Sequence, residues 1–226
     1  MLRQDGAAHL PQPQVQQWMD RLAPVVAEAR AALTGVKPSK IALRSGCTLD
    51  ADGSLRLTFF WREYVVSPGD FVVRRADDGS EPSSFTQSLI LTYLAHADGT
   101  TPSGRWISFR QLPDGLFYAQ AFQGYAGDRL ARELPTSPEL ALAALRWAAD
   151  RLGGKALEIG DAGYGFTVLP RVRIGVVYWA GDEEFAPRAQ IVFEDSVSHY
   201  LPTDGLAVLG SQLVGHILRA SNPANG

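Results

Sequence analysis

Three consecutive acids follow an aromatic pair in the last quarter of the chain. Tyr178 and Trp179 end an apolar run, and Asp182, Glu183 and Glu184 come directly after a glycine. Aromatic surface beside clustered carboxylates suits ligand binding, although an ordinary connection between two strands has a similar composition. These three acids are therefore the first candidate site, with a solvated turn as the alternative.

A second set of acids follows the next apolar run and raises the question of a metal site. Glu194, Asp195 and His199 could join the three acids around a divalent cation, because Mg²⁺ and Mn²⁺ take several oxygen ligands. If the strands predicted over residues 172–179 and 189–193 pair as a hairpin, the two sets lie at its opposite ends. This topology argues against one shared metal site.

Arg110 is the third candidate. It follows a short alternating segment that contains Trp106 and Ser108. Its guanidinium could bind a carboxylate or phosphate of a ligand, form an ion pair with an acid such as Glu184, or be exposed to solvent. The sequence leaves these alternatives open. Nearby aromatic side chains could line an apolar pocket or belong to the core: Phe117, Tyr118, Phe122 and Tyr125.

The composition excludes several classes of protein. With a net charge of −3 over 226 residues there is no basic footprint, so no nucleic-acid partner is expected. Cys47 is the single cysteine, which excludes intrachain disulfides and cysteine-built zinc or iron–sulfur sites. No apolar run approaches the roughly 20 residues of a membrane span, and the first residues do not form a signal peptide. We expect a soluble, cytoplasmic protein with no membrane partner.

Known catalytic and nucleotide-binding motifs add no site. Residues 160–165 are rich in glycine, but their spacing and the strand predicted after them do not fit a dinucleotide fingerprint, so we predict a turn. The chain has no Walker A pattern, nucleophile elbow or HExxH motif. No metal ligand, cofactor or catalytic residue is assigned, and whether the protein is an enzyme stays open.

The elements that position these residues come in blocks. Helical spacing and turn residues predict five helices, over residues 13–33, about 84–98, 118–134, 137–152 and about 203–218. Strands are predicted in an antiparallel meander over residues 41–43, 55–60, 63–66 and 71–75, and then over 106–109, 156–159, 165–169, 172–179 and 189–193. Blocks without strict alternation favour an α+β fold of mostly antiparallel sheets with about five helices packed on them. We expect a single domain over residues 13–220 with flexible tails at 1–12 and 221–226.

Two stretches carry a resemblance to a known family. The pattern GxWxSFRxLPxG at residues 104–115 is followed by WxGDEEFxP at residues 179–187 and LPTDxLAVLG at residues 201–210. Over roughly residues 35–220 the chain resembles an uncharacterised family of domains of unknown function, found mainly in anaerobic bacteria and archaea.

The resemblance implies candidate positions but no activity. Some family members carry an added Fe–S segment of the kind found beside corrinoid proteins, and this chain lacks it. The motif positions are Trp106, Ser108, Phe109, Arg110, Trp179, Gly181, Asp182, Glu183, Glu184, Phe185 and Asp195.

These observations predict a small-molecule-binding or accessory protein. The predicted ligand-binding residues are Trp106, Ser108, Arg110, Trp179, Asp182, Glu183 and Glu184, with Arg110 anchoring an anionic group. A tetrapyrrole or corrinoid-like ligand is the most specific version and rests on the resemblance. The alternatives are a divalent-metal-dependent hydrolase that uses the acids or His199, and a protein-interaction module.

Overall fold

A computed structural model describes residues 12–222, with side chains from residue 22 onward. Contacts between Cα atoms group the chain into two compact units. Among the described residues, the first unit is 12–100 together with His199–Leu201, and the second is Thr101–Ser198 together with 202–222. The single domain expected over residues 13–220 stays a prediction. Apart from residues 12, 221 and 222, the tails expected at 1–12 and 221–226 lie outside the described residues.

The first unit combines three helices with a small sheet. Its elements are α1 (Gln12–Leu33), α2 (Pro38–Ser45), β1 (Thr48–Leu49), β2 (Leu55–Phe59), β3 (Arg62–Val66), β4 (Val73–Arg75) and α3 (Ser84–His96). The four strands are adjacent in chain order and every pair is antiparallel, so the predicted meander is confirmed apart from its first strand. α1 packs against α3, which begins at Ser84 as predicted and is capped by Ser83, whose side chain accepts the N–H of Thr86.

The prediction of a strand over residues 41–43 is wrong, because these residues lie in the middle of α2. Pro38 stands at the start of this helix, where its missing N–H leaves no hydrogen bond unmade. Gly46 ends the helix in the left-handed conformation, with φ of 72°, and its N–H donates to the carbonyl oxygen of Ala42. The first hairpin of the meander begins instead with β1.

The second unit contains four helices and a five-stranded sheet. Its elements are β5 (Trp106–Ser108), α4 (Gly115–Tyr125), α5 (Gly127–Glu133), α6 (Pro138–Arg151), β6 (Lys155–Leu157), β7 (Ala162–Leu169), β8 (Val172–Trp179), β9 (Arg188–Glu194) and α7 (Thr203–Ala220). The strand order is β5-β9-β8-β7-β6, again with every pair antiparallel. The hairpin β8–β9 therefore forms the centre of the sheet.

Helices cover one face of this sheet. The ring of Phe122 on α4 lies 5.8 Å from that of Phe193 on β9 and 4.2 Å from that of Phe109, measured between centroids. A Cβ atom built on Gly210 of α7 would lie 3.4 Å from Ile191. Because successive strand residues point to opposite faces, α4 and α7 lie on the face of Ile191 and Phe193.

The other face carries Trp106, which lies over two glycines. The register pairs Gly165 with Gly175, and Gly175 with Val192. A Cβ atom built on Gly165 would lie 2.9 Å from the Trp106 ring, and one on Gly175 would lie 3.1 Å from it. The absence of side chains at these two positions makes room for the indole.

Two further predictions need correction in the second unit. The helix expected over residues 118–134 is interrupted at Ala126, where φ is −113° and ψ is −73°, so it forms the separate helices α4 and α5. The glycine-rich stretch 160–165 is a turn only at its start, because β7 begins at Ala162. Gly165 is therefore a strand residue that faces Trp106, which its sequence neighbours do not reveal.

The α+β fold class is confirmed by these elements. All strands pair antiparallel, and helices stand in blocks between the strand blocks. The described part of the chain has seven α-helices, against about five expected. Between residues 12 and 222, no helix combines the length and apolar character needed to cross a membrane.

Substituting Gly165 by alanine tests the packing of Trp106. The new Cβ would displace the indole, so we expect a loss of about 1–3 kcal/mol in the free energy of unfolding, measured by urea denaturation. Gly215→Ala on α7, where the nearest atom is 3.5 Å away, is the control and should cost nothing. Adding Trp106→Phe should restore part of the loss in Gly165→Ala; an equal effect of Trp106→Phe in both backgrounds would contradict this packing.

Candidate functional site

The sheet brings three of the predicted site residues to one face. β5 pairs with β9 so that Trp106 and Ser108 are partners of alternate β9 residues, and Trp179 on β8 is the partner of Arg188 in the same series. Residues paired across antiparallel strands share a face, as do alternate residues of one strand. Trp106, Ser108 and Trp179 therefore lie on the face opposite α4 and α7.

Trp179, the last residue of β8, already has a cationic neighbour. The guanidinium carbon of Arg188 lies 4.2 Å from the centroid of the Trp179 ring. A contact of this kind contributes roughly 0.5–1 kcal/mol at an exposed site. One face of the indole is thus occupied by a residue of the same hairpin.

The acidic loop, residues 180–187, joins β8 to β9 and is shaped by its own hydrogen bonds. Oδ1 of Asp182 accepts the N–H of Phe185 at 2.7 Å and that of Glu184 at 2.9 Å, and the Asp182 N–H donates to the Phe185 carbonyl at 2.9 Å. The N–H groups of Phe185 and Glu184 lower the pKa of the Asp182 carboxyl. Asp182 therefore forms the turn, while Glu183 and Glu184 are exposed.

An open groove of about 450 Å³ lies between the acidic loop and the start of α6. Thr136 and Pro138 line it on the side of α6, and Tyr178 and the acidic loop line the rest. Its lining includes three acids and no basic residue. Among the residues that the structure describes, no salt bridge involves Glu183 or Glu184.

Arg110 lies toward the same end of the sheet but does not pair with these acids. Because β5 runs antiparallel to β9, the 3₁₀ turn Phe109–Gln111 that follows β5 points toward the start of β9. Arg110 is exposed, and no salt bridge within the described range joins it to residues 182–184. Of the alternatives weighed for this arginine, the structure shows exposure; the ion pair with Glu184 is not formed.

The opposite end of the hairpin holds a buried carboxylate. Glu194 has no exposed surface. Its Oε1 accepts the N–H groups of Ser103 at 2.6 Å and Gly104 at 2.9 Å, and its Oε2 accepts the N–H of Ser196 at 3.0 Å and the hydroxyl of the same serine. These donors satisfy both oxygens without a cation. Glu194 thereby fastens the loop before β5 to the end of β9.

Asp195 binds the same loop through its side chain. Its carboxylate accepts the Ser103 hydroxyl at 2.6 Å and the Nε–H of Arg105 at 2.8 Å, and these two interactions lower its pKa. The β8–β9 register puts Asp195 at the far end of the hairpin from the acidic loop, so the predicted separation of the two acid sets is confirmed.

His199 belongs to the first unit. Its Nδ1 lies 2.7 Å from Oδ2 of Asp98. Burial opposes ionisation of the Asp98 carboxyl, but hydrogen bonds from Thr100 and His199 outweigh it and lower the pKa to about 2. In the described residues, no three His, Cys, Asp or Glu side chains come together in a way that could hold a metal ion.

The sequence did not point to several residues that shape these sites. Ser103 and Gly104 stand about 90 positions before Glu194, and no local pattern links them. Arg188, in contrast, could be found from the sequence. If the strand predicted over residues 189–193 begins one residue earlier, Arg188 becomes the partner of Trp179 in the hairpin.

A family model matches most of the chain. The family model for DUF3786, a domain of unknown function, matches residues 37–216. The chain belongs to the DUF3786 family. The resemblance to a family of domains of unknown function is thereby confirmed, and the DUF3786 match spans the whole β8–β9 hairpin with its groove. No curated protein and no solved structure matches the chain.

Replacing Glu194 by glutamine tests its role as an anchor in this DUF3786 chain. The amide nitrogen would face N–H and O–H donors and leave them unsatisfied, so we expect a loss of about 1–3 kcal/mol in the free energy of unfolding. Glu183→Gln, an exposed change of the same kind, should leave the urea midpoint unchanged. Equal midpoints for the two variants would contradict the anchoring role.

The pair Asp98–His199 predicts a pH dependence. A carboxyl whose pKa is lowered on folding stabilises the protein above its unfolded pKa of about 4, and this contribution is lost as the pH falls through about 2. Asp98→Asn should therefore lower the free energy of unfolding at pH 6, by at most about 1 kcal/mol because both side chains are half exposed.

The difference between Asp98→Asn and the parent protein should shrink toward zero as the pH approaches 2. The control is Asp150→Asn on α6, an exposed position whose replacement should leave the free energy of unfolding at pH 6 unchanged. A difference for Asp98→Asn that stays constant from pH 6 to pH 2 would show that the carboxylate charge is not what stabilises this pair.

Proposed function

We propose that the protein binds a small organic cation in the groove between the acidic loop and the start of α6. The observation that carries this proposal is the charge of the groove: its lining includes three carboxylates and no basic side chain. An ammonium or guanidinium group would meet charge-assisted hydrogen-bond acceptors there. The volume of about 450 Å³ lies within the usual range of small-molecule sites.

Two of the carboxylates are free to take a ligand. One carboxylate oxygen of Asp182 accepts hydrogen bonds from the backbone of its own turn. Glu183 and Glu184, in contrast, form no salt bridge within residues 12–222. A cation that bridges them would relieve the repulsion between adjacent negative charges. The repulsion is relieved only when the cation is bound, so the relief adds directly to the binding free energy.

The backbone of the acidic loop is closed by hydrogen bonds of its own. The hydrogen bonds to Asp182 fix the turn, and at Gly181 a Cβ atom would lie 2.7 Å from the Phe185 carbonyl oxygen, so the loop is tightly closed at its base. Binding a ligand to a preformed loop avoids the free-energy cost of ordering it.

An aromatic side chain completes the cation site. Phe185 is 69% exposed at the tip of the acidic loop, whereas Tyr178, which also borders the groove, is only 1% exposed. The face of the Phe185 ring would attract a cation, and its apolar surface suits an alkyl or aryl amine. The proposed ligand is therefore an amine or guanidine with an apolar portion.

The tetrapyrrole version of the ligand hypothesis fits this groove less well. Haem and related tetrapyrroles carry carboxylates, which would face Glu183 and Glu184. Arg110, which was to anchor such a group, is not part of the groove lining. The two versions make opposite demands on the charge of the ligand, so one titration series separates them.

The experiment is isothermal titration calorimetry with three probes: phenethylamine, spermidine and 3-phenylpropionate. We expect saturable binding of the two amines, weakened by salt, and none of the carboxylate. The double variant Glu183→Gln/Glu184→Gln should weaken amine binding at least about tenfold, which corresponds to about 1.4 kcal/mol. Absorbance titrations with haemin and a cobalamin should be flat.

The matched control is Glu28→Gln/Glu133→Gln, which removes the same two charges from α1 and α5. It should bind the amines as the parent protein does. Equal losses in the two double variants would show that net charge, rather than the groove, attracts the cations. Absence of any saturable amine binding contradicts the proposal, and a haemin titration that saturates would favour the tetrapyrrole version.

A further inference from the structure

Helix α4 exposes an uncharged aromatic face. Leu116, Phe117, Tyr118 and Tyr125 are 55%, 83%, 66% and 46% exposed. The helix sequence, GLFYAQAFQGY, contains no charged residue. Surface helices normally turn charged or polar side chains to solvent, so this pattern indicates a surface that is covered in the functional state.

The exposed area has the size of an interface core. A large aromatic side chain offers about 150–250 Å², so the exposed fractions of Phe117, Tyr118 and Tyr125 give about 300–500 Å² of mainly apolar surface, to which Leu116 adds. A stable interface of standard size buries about 800 Å² on each partner, of which a little over half is apolar. The α4 face alone supplies an apolar core of that extent.

The outward face of α4 is complementary to itself. Phe117, Ala121, Gly124 and Tyr125 recur at helical spacing and are exposed, and the ring of Tyr125 also meets the buried Phe122 edge-on, with 5.5 Å between the centroids. In an antiparallel pair centred on Ala121, Phe117 of each copy meets Tyr125 of the other. Tyr118 then meets Gly124, where a Cβ atom would have no neighbour within 4 Å.

We propose that a second copy of this chain packs on this face, with the two α4 helices antiparallel about a two-fold axis at Ala121. Small residues at the crossing point let the helices approach closely, and the aromatic side chains on either side fill the space that Gly124 leaves. An interface about a two-fold axis requires one patch that is complementary to itself, and α4 provides it. The antiparallel arrangement also places the helix dipoles favourably.

The composition of α4 favours a second copy of the chain over a membrane surface as its partner. A helix that lies on a bilayer carries Lys or Arg on its polar face, and α4 has neither. The uncharged α4 face places no like charges opposite each other when it meets its own copy. A different protein partner is an outcome that the experiments below detect.

The first experiment measures molar mass by light scattering and sedimentation over a wide range of concentrations. We expect a reversible dimer of twice the 24.5 kDa chain mass. Ala121→Glu sets two carboxylates against each other at the axis, so the dissociation constant should rise on the order of a hundredfold. Ala121 is exposed, so the far-UV circular dichroism of this variant should not change.

The second experiment places a cysteine on the axis. Ala121→Cys should form a disulfide-linked dimer under mild oxidation, because each thiol would face its own copy. Cys47 does not interfere, since it is buried and burial raises the pKa of its thiol to about 11. Ala143→Cys, at an exposed position of α6, is the matched control and should cross-link far more slowly.

Three outcomes overturn the inference. The first is a parent protein that is a monomer at every concentration, as it would be if α4 served a different partner. The second is a dimer whose dissociation constant does not change in Ala121→Glu, which would place the interface elsewhere. The third is cross-linking of Ala121→Cys and Ala143→Cys at equal rates, which would indicate random collision. These results do not depend on amine binding, so this inference and the proposed function fail independently.

Discussion

The antiparallel pairing of β8 with β9 is the constraint on which the second unit depends. Its register ends at Trp179 and Arg188, so the chain has to reverse over residues 180–187 and its acids face solvent. At the other end the same register delivers Glu194 to the loop before β5. One hairpin thereby fixes a solvent-facing acidic groove and a buried polar anchor at opposite ends.

Hydrogen bonding assigns different roles to carboxylates that look alike in the sequence. Asp182 closes a turn, Glu194 is buried and fully satisfied by donors, and Asp195 pairs with Arg105. A buried carboxylate has to be satisfied in this way, because desolvating it without partners would cost several kcal/mol. Of the three acids that line the groove between the acidic loop and α6, Glu183 and Glu184 form no salt bridge among the described residues, so their negative charges are not neutralised by the protein.

The sequence predicts the regular parts of the fold well, because they rest on local patterns. The predicted bounds of β8 match the observed ones, those of β9 agree to within one residue at each end, and the predicted start of α3 at about residue 84 agrees with its observed start at Ser84. The prediction of a strand over residues 41–43 is wrong because three consecutive apolar residues fit a strand or a helix equally well. The residues that decide for a helix, Pro38 and Gly46, lie outside that triplet.

The site could be predicted only in part, because its geometry depends on strand order. The acids at 182–184 and the aromatic residue before them were found from composition, and their separation from Asp195 followed from strand direction. The pair between Arg110 and Glu184, one of the alternatives for that arginine, does not form among the described residues. Arg110 follows the edge strand β5, whereas Glu184 joins β8 to β9, and no sequence pattern reveals that order. For the same reason, the sequence does not reveal that Gly165 and Gly175 lie under the Trp106 ring.

The most direct test of the central claim is a titration of isotope-labelled protein with phenethylamine, followed by amide chemical shifts. The account predicts that the largest shifts belong to Glu184 and Phe185, whose N–H groups donate to Asp182, and to neighbouring residues of the acidic loop. Shifts that are scattered over the surface, or that centre on Arg110 and the 3₁₀ turn after β5, would contradict it.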